Sequence, residues 1–206
     1  MTIFGRKLSA STMQALVYPL PTMLGATMVI VNGVPAPLYY VSPSQINFQM
    51  PGNTSLGNAR VEVNVEGQPV SSFDAKPVML TAVDPGLYMN GPRVAALNPD
   101  LTPHTAATPQ AAGTILAFFV TGQGAVKPAI PDGSAAPAAP LSMLAGTVQV
   151  MIGGQQAEVT FAGLAPGYAG LTQVNVRIPA GLGPGDHPAF VVIDGVPSNA
   201  GLVGVR

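Results

Sequence analysis

The chain has 206 residues, of which 48% are hydrophobic and only 8% charged, about a third of the charge of an average soluble domain. Eight basic against nine acidic residues leave no electrostatic footprint for nucleic acid or an anionic membrane surface, so neither partner is expected. Cysteine is absent, which excludes disulfides, thiolate catalysis and cysteine metal sites and leaves packing as the source of stability.

Glycine (24) and proline (22) are spread throughout the chain. In a helix interior proline costs about 3 kcal/mol and glycine about 1, so long helices are disfavoured and frequent turns point to an all-β protein. No apolar run approaches the roughly 18 residues that span a bilayer, and no membrane insertion is expected. The chain opens on a strand-like Thr2-Ile3-Phe4-Gly5. Behind Arg6 and Lys7 there is no apolar stretch of signal-peptide length, so no export signal is read here, and the opening directly on a strand suggests a piece of a longer protein.

Residues 8–18 read as a loop or a single turn. A strand at 27–31 is closed by Asn32-Gly33, a strong signal for a tight hairpin, and a second strand follows at 36–41. Residues 45–51 alternate, with Ile46, Phe48 and Met50 inward and Gln45, Asn47 and Gln49 outward. Residues 60–66 alternate again, with Val61, Val63 and Val65 inward, and residues 70–80 supply a last strand. Residues 84–113 read as a small hairpin around Asn90-Gly91-Pro92 followed, from 99 onward, by an exposed connection. Beyond it come a strand at 114–121, a loop to Pro140, and strands at 147–152, 157–161, 173–179, 190–193 and 202–205.

Residues 39–69 are written twice. A shift of 128 lays Gln45, Asn47, Pro51, Gly57, Val63, Gly67 and Pro69 on Gln173, Asn175, Pro179, Gly185, Val191, Gly195 and Pro197. Earlier, Pro19-Leu20 and Gly25 return as Pro140-Leu141 and Gly146 at a shift of 121, and Gly153-Gly154 stands in the place of Asn32-Gly33. Short strands, frequent turns and an internal repeat predict two tandem immunoglobulin-like β-sandwich units, 1–83 and 114–206, with 84–113 between them.

Pro19-Leu20-Pro21, the run Ala36-Pro37-Leu38-Tyr39-Tyr40-Val41-Ser42-Pro43-Ser44-Gln45-Ile46-Asn47-Phe48-Gln49-Met50-Pro51, Pro85-Gly86-Leu87-Tyr88, Thr121-Gly122-Gln123-Gly124 and Gly163-Leu164-Ala165-Pro166-Gly167 carry a resemblance. Over nearly its whole length the chain resembles the uncharacterised C-terminal domain family abundant in secreted acidobacterial proteins, first named from Solibacter. The repeat unit is also similar to the TIG-type immunoglobulin-like modules of cell-surface proteins. The resemblance implies export and attachment behind large repeat or propeller regions. It implies no established activity and lends no catalytic residues.

Two groups of side chains are candidates for binding. The outward residues Gln45, Asn47, Gln173, Asn175 and Arg177 form polar ladders that take sugar or peptide through hydrogen bonds, or else are a solvated sheet face or ties to nearby loops. Tyr39, Tyr40, Tyr88 and Tyr168 lie in or beside loops, where they stack on sugar rings or cap the core. For acid–base work there are only His104 and His187. His187 with Asp186 and Ser198 is a conceivable nucleophile–base–acid set, His104 is a further candidate, and no Gly-x-Ser-x-Gly, Ser-x-x-Lys or His-Glu-x-x-His motif occurs. No cofactor and no metal are expected, since histidines are few and acids scattered. The expectation is an extracellular, non-enzymatic module for adhesion, presentation or assembly at the cell surface. Its partner would be a protein or glycan surface, and low charge favours association of copies. The alternatives are a metal-independent hydrolase of broad ester-type specificity with a site on loops, and a carbohydrate-binding module.

Overall fold

The computed structural model describes residues 1–69 and 78–206. Among these, every regular element is a β-strand, so the chain is all-β. No helix among the described residues is long and apolar enough to cross a membrane. Most of the strand expected at 70–80 lies outside the described residues; its end, Val78–Leu80, is a strand. The chain divides into two compact units. Unit 1 comprises Met1–Thr81, Ile130–Ala136 and Gly167–Gly170, and unit 2 comprises Ala82–Ala129, Pro137–Pro166 and Leu171–Arg206.

Unit 1 contains β1 (Thr2–Phe4), β2 (Met13–Gln14), β3 (Met23–Leu24), β4 (Thr27–Val31), β5 (Val34–Pro35), β6 (Leu38–Val41), β7 (Gln45–Phe48), β8 (Gly57–Ala59), β9 (Val61–Val65), β10 (Gln68–Pro69) and β11 (Val78–Leu80). One sheet runs β1-β7-β6-β2. A second runs β10-β9-β4-β3 with β5 on β4, and β8 pairs β11. The inward residues Leu38, Val41, Ile46 and Phe48 of the first sheet meet Val29, Val31 and Val63 of the second in one core cluster. Each such side chain removed from water contributes about 1.5–3 kcal/mol. Residues 8–18 hold more than a loop: Leu8 is part of this core, and Met13–Gln14 is an edge strand on β6.

Unit 2 contains β12 (Gly86–Leu87), β13 (Met89–Asn90), β14 (Arg93–Val94), β15 (Ala96–Leu97), β16 (Ile115–Thr121), β17 (Val126–Lys127), β18 (Met143–Leu144), β19 (Val148–Ile152), β20 (Gln155–Leu164), β21 (Thr172–Arg177), β22 (Gly185–Ile193), β23 (Val196–Pro197) and β24 (Gly201–Val205). Nine of them join in the order β12-β16-β21-β20-β19-β22-β24-β14-β13, with β15 on β16, β18 between β17 and β20, and β23 on β22. The long β20 turns the corner, because its first residues pair β19 and its later ones pair β21. Leu116, Phe118, Val120, Val174 and Val176 on one side of that corner therefore pack with Val150, Ile152, Val191, Ile193 and Val203 from the other. Residues 99–113 are not an exposed connection throughout, for His104 is 2% exposed.

The strand pairings of unit 1 recur in unit 2 at the spacings of the sequence repeat. Val29 faces Val63 and Val150 faces Val191. Leu38 faces Phe48 and Val159 faces Val176. In both places the register slips by one residue, leaving Tyr39 in unit 1 and Thr160 in unit 2 as the extra residue of a β-bulge. The hairpin turns also agree. Asn32-Gly33, Glu66-Gly67, Gly153-Gly154 and Asp194-Gly195 all have positive φ at both positions, the type I′ geometry that matches strand twist.

Candidate functional site

The turn between β6 and β7 is held locally. Ser42 Oγ accepts the N–H of Gln45 at 2.9 Å and that of Ser44 at 3.3 Å, the hydroxyl-capped turn that Ser-Pro-Ser favours. It delivers β7 with Ile46 and Phe48 buried and Gln45 and Asn47 on the outer face. Residues directly opposite in a ladder share a face. Thr2 faces Asn47, Asn47 faces Tyr40, and Tyr40 faces Gln14, which makes one outer row across all four strands. Phe4 faces Gln45 in the next row.

Within this face Asn47 Oδ1 accepts from Gln45 Nε2 at 2.8 Å and from Thr2 Oγ1 at 3.1 Å. The amide oxygen of Asn47 and the amide nitrogen of Gln45 are thereby engaged, and the Nδ2 donors of Asn47 and the Oε1 acceptor of Gln45 are what the pair presents outward. Phe4, 76% exposed, stands beside them.

Unit 2 repeats the arrangement. Gln173 Nε2 donates to Asn175 Oδ1, again at 2.8 Å. Phe119 faces Gln173, as Phe4 faces Gln45, and Phe161 faces Asn175, as Tyr40 faces Asn47. The differences are that Phe119 and Phe161 are half-buried, Ala117 replaces Thr2, and the following row carries an ion pair. There Arg177 Nε meets Glu158 Oε2 at 2.8 Å, and Arg177 also donates to Gly113 O. Of the aromatic flanks, Tyr40 was a candidate in the sequence, whereas Phe4, Phe119 and Phe161 were not singled out there. The signal was present, since Tyr40 and Phe161 stand 121 residues apart, the repeat's own spacing.

Gln49, expected on the same outer ladder, instead ties a loop. Its Oε1 accepts the N–H of Gly133 at 2.9 Å, and Asp132 Oδ2 accepts that of Gly52 at 2.9 Å. Tyr39, the bulge residue, donates its hydroxyl to Ala169 O within unit 1, while the neighbouring Tyr168 is exposed and its carbonyl accepts the N–H of Ala136. Tyr88 is exposed in unit 2 and its N–H donates to Phe119 O. Tyr39, Tyr40 and Tyr168 thus belong to unit 1 and Tyr88 to unit 2.

The acid–base candidates hold structure. His104 Nε2 accepts the N–H of Gly204 at 3.0 Å, so its Nδ1 carries the proton and donates to Asn98 Oδ1 at 2.9 Å. Burial, with Arg93 adding to it and Asp186 opposing, holds His104 below the ordinary imidazole value. His187 Nε2 donates to Gly183 O at 2.8 Å. Asp186 accepts two hydrogen bonds from Arg93 Nη2, at 2.7 and 2.6 Å. Ser198 Oγ donates to Asn199 O and accepts the N–H of Val191. Val191 lies four residues from His187 along β22, about 13 Å at strand rise, and adjacent Asp186 and His187 point to opposite faces. The three do not converge. Among the described residues no group of three or more histidines and acids is placed to hold a metal.

No family model matches the chain, and no curated protein matches it. Among solved structures it is similar to the Bacteroides ovatus mixed-linkage glucan utilization locus protein SGBP-B in complex with mixed-linkage heptasaccharide. The similarity has a TM-score of 0.36 and 11% identity, and covers 96% of this chain and 46% of that one.

Proposed function

We propose that the chain is a non-catalytic contact module of two tandem immunoglobulin-like sandwich units, displayed outside the cell and serving adhesion, presentation or assembly there. The observation that carries this reading is the outer sheet face common to both units. In each, a Gln–Asn amide pair is locked by the same 2.8 Å bond and flanked by aromatic residues at matching positions. Such a face supplies directional hydrogen bonds and apolar area without a reactive group. The hydrolase alternative finds little support, because His104, His187, Asp186 and Ser198 are each held by bonds to other partners. Export and membership of the Solibacter-type family remain part of the proposal and rest on the motif runs in the sequence. The exposed Leu16 and Val17 supply apolar area for association of copies.

The test is a screen of the purified chain and its His104→Ala and His187→Ala variants against chromogenic esters, phosphoesters and glycosides, beside light scattering for self-association. No turnover is expected from any of the three. Turnover that vanishes with either histidine would replace the contact module with a hydrolase.

A further inference from the structure

We infer, resting on the contact-module reading, that the outer face of the β1-β7-β6-β2 sheet in unit 1 binds a neutral glycan chain. The rows Thr2–Asn47–Tyr40–Gln14 and Phe4–Gln45 contain no side chain that is charged at neutral pH. Those rows themselves offer a phosphorylated, acidic or basic partner no opposite charge, so desolvating it against them is costly. The nearest cationic side chains along the chain, Arg6 and Lys7, lie beyond the end of β1. A neutral polyol is matched, because each sugar hydroxyl both donates and accepts. Asn47 Nδ2 and Gln45 Oε1 offer one donor group and one acceptor, each oriented by the shared bond beneath.

Aromatic rings give the apolar faces of sugar rings a place to stack. Phe4 and Tyr40 sit two strands and two residues apart, about 12 Å by sheet spacing and strand rise. That span suits a segment of a chain better than a single ring, with the amide pair lying between the two aromatics. An exposed phenylalanine on a sheet face contributes nothing to the core, whereas a bound sugar would cover it. The equivalent face of unit 2 is the internal comparison. Its Phe119 and Phe161 are half-buried and its next row holds the Arg177–Glu158 ion pair, so the glycan site is assigned to unit 1.

Affinity electrophoresis of the full chain through gels containing starch, xylan, galactomannan, β-glucan or, as charged controls, alginate and pectate tests this. Retardation by at least one neutral polysaccharide is expected, with none by the charged ones. Phe4→Ala and Asn47→Ala are each expected to weaken it about tenfold or more, and Gln156→Ala, at an exposed position of β20 in unit 2, to leave it unchanged. Unaltered thermal unfolding of the variants keeps a loss of binding from being read as a loss of fold, and Phe4→Tyr is expected to retain binding. The inference is overturned by no retardation by any neutral polysaccharide, or by retardation that survives both unit 1 substitutions. Self-association without glycan binding would also overturn it while leaving the contact module standing, and turnover of the polysaccharide lost in His187→Ala would bring down both.

Discussion

His104 Nε2 accepts the backbone N–H of Gly204 within unit 2, across one hundred residues of sequence. Because the acceptor is the unprotonated nitrogen, the native state contains a neutral imidazole, and protonation would break the bond. Burial with the nearby Arg93 cation lowers the folded value, and Asp186 only partly offsets this. Above the unfolded value of about 6.5 the ring is neutral in both states and its contribution is complete. As pH falls below that, the unfolded chain takes up a proton that the folded chain declines, and stability drops until the folded value is reached. Denaturant midpoints at about pH 7.5 and about pH 5 are expected to differ, and His104→Gln is expected to shrink that difference while costing about 1–3 kcal/mol at the higher pH. An equal acid-side loss in both proteins would show that His104 is not its source.

Gln49 and Asp132 clasp the residues 130–136 to the rest of unit 1 through the amides of Gly133 and Gly52. Asp132→Ala is expected to cost about 0.5–1.5 kcal/mol and to speed hydrogen exchange at Gly52, and Gln49→Ala to do the same at Gly133. Gln45→Ala, which removes a bond confined to an outer face, is expected to stay within about 0.5 kcal/mol. Site-resolved exchange by NMR distinguishes the three.

Two glycines with positive φ separate backbone strain from steric exclusion. A methyl at Gly154 meets nothing within 4 Å, so Gly154→Ala is expected to cost about 1 kcal/mol from the left-handed conformation alone. At Gly122 the same methyl would fall on the carbonyl of Asp84, and Gly122→Ala is expected to cost about 3 kcal/mol or more. Thermal unfolding of the two variants gives the comparison.

Phe118 is fully buried in the core of unit 2, while Phe4 at the corresponding ladder's outer row in unit 1 is 76% exposed. Phe118→Ala is expected to lose about 3–5 kcal/mol. Phe4→Ala is expected to change stability by less than about 0.5 kcal/mol. Urea titrations decide this, and a large loss for Phe4→Ala would mean that its ring packs against the protein and is not free for a ligand.

Much of the fold was legible because it is local. Ile46 and Phe48 alternate with Gln45 and Asn47, and β7 places them on opposite faces as period two requires. Asn32-Gly33 and Asp194-Gly195 take the left-handed pair of angles that their residue types favour. The buried Asn98–His104 pairing was hidden in a stretch rich in threonine, alanine and proline, because the partner that makes the bury tolerable, Gly204, lies a hundred residues away.

For the candidate site, the amide pairs were visible from their repetition, but their bonding was not. A sequence places Gln45, Asn47 and Gln49 on one outward ladder; only the fold gives Gln49 to Gly133 and leaves Gln45 and Asn47 to each other. It likewise takes cross-strand register to set Phe4 beside Gln45, since the two lie forty-one positions apart and no pattern within either strand names the other.

The order of residues alone therefore determined the all-β character, the turn geometry and the inward and outward sides of the main strands, since each depends on neighbours within a few positions. Tertiary structure alone decided that the residues 130–136 and 167–170 belong with unit 1, that His187 and Ser198 are kept apart, and that aromatic and amide side chains share one face. Those outcomes rest on hydrogen bonds and ladder pairings between residues remote in sequence, whose partners exist only once the sheets have formed.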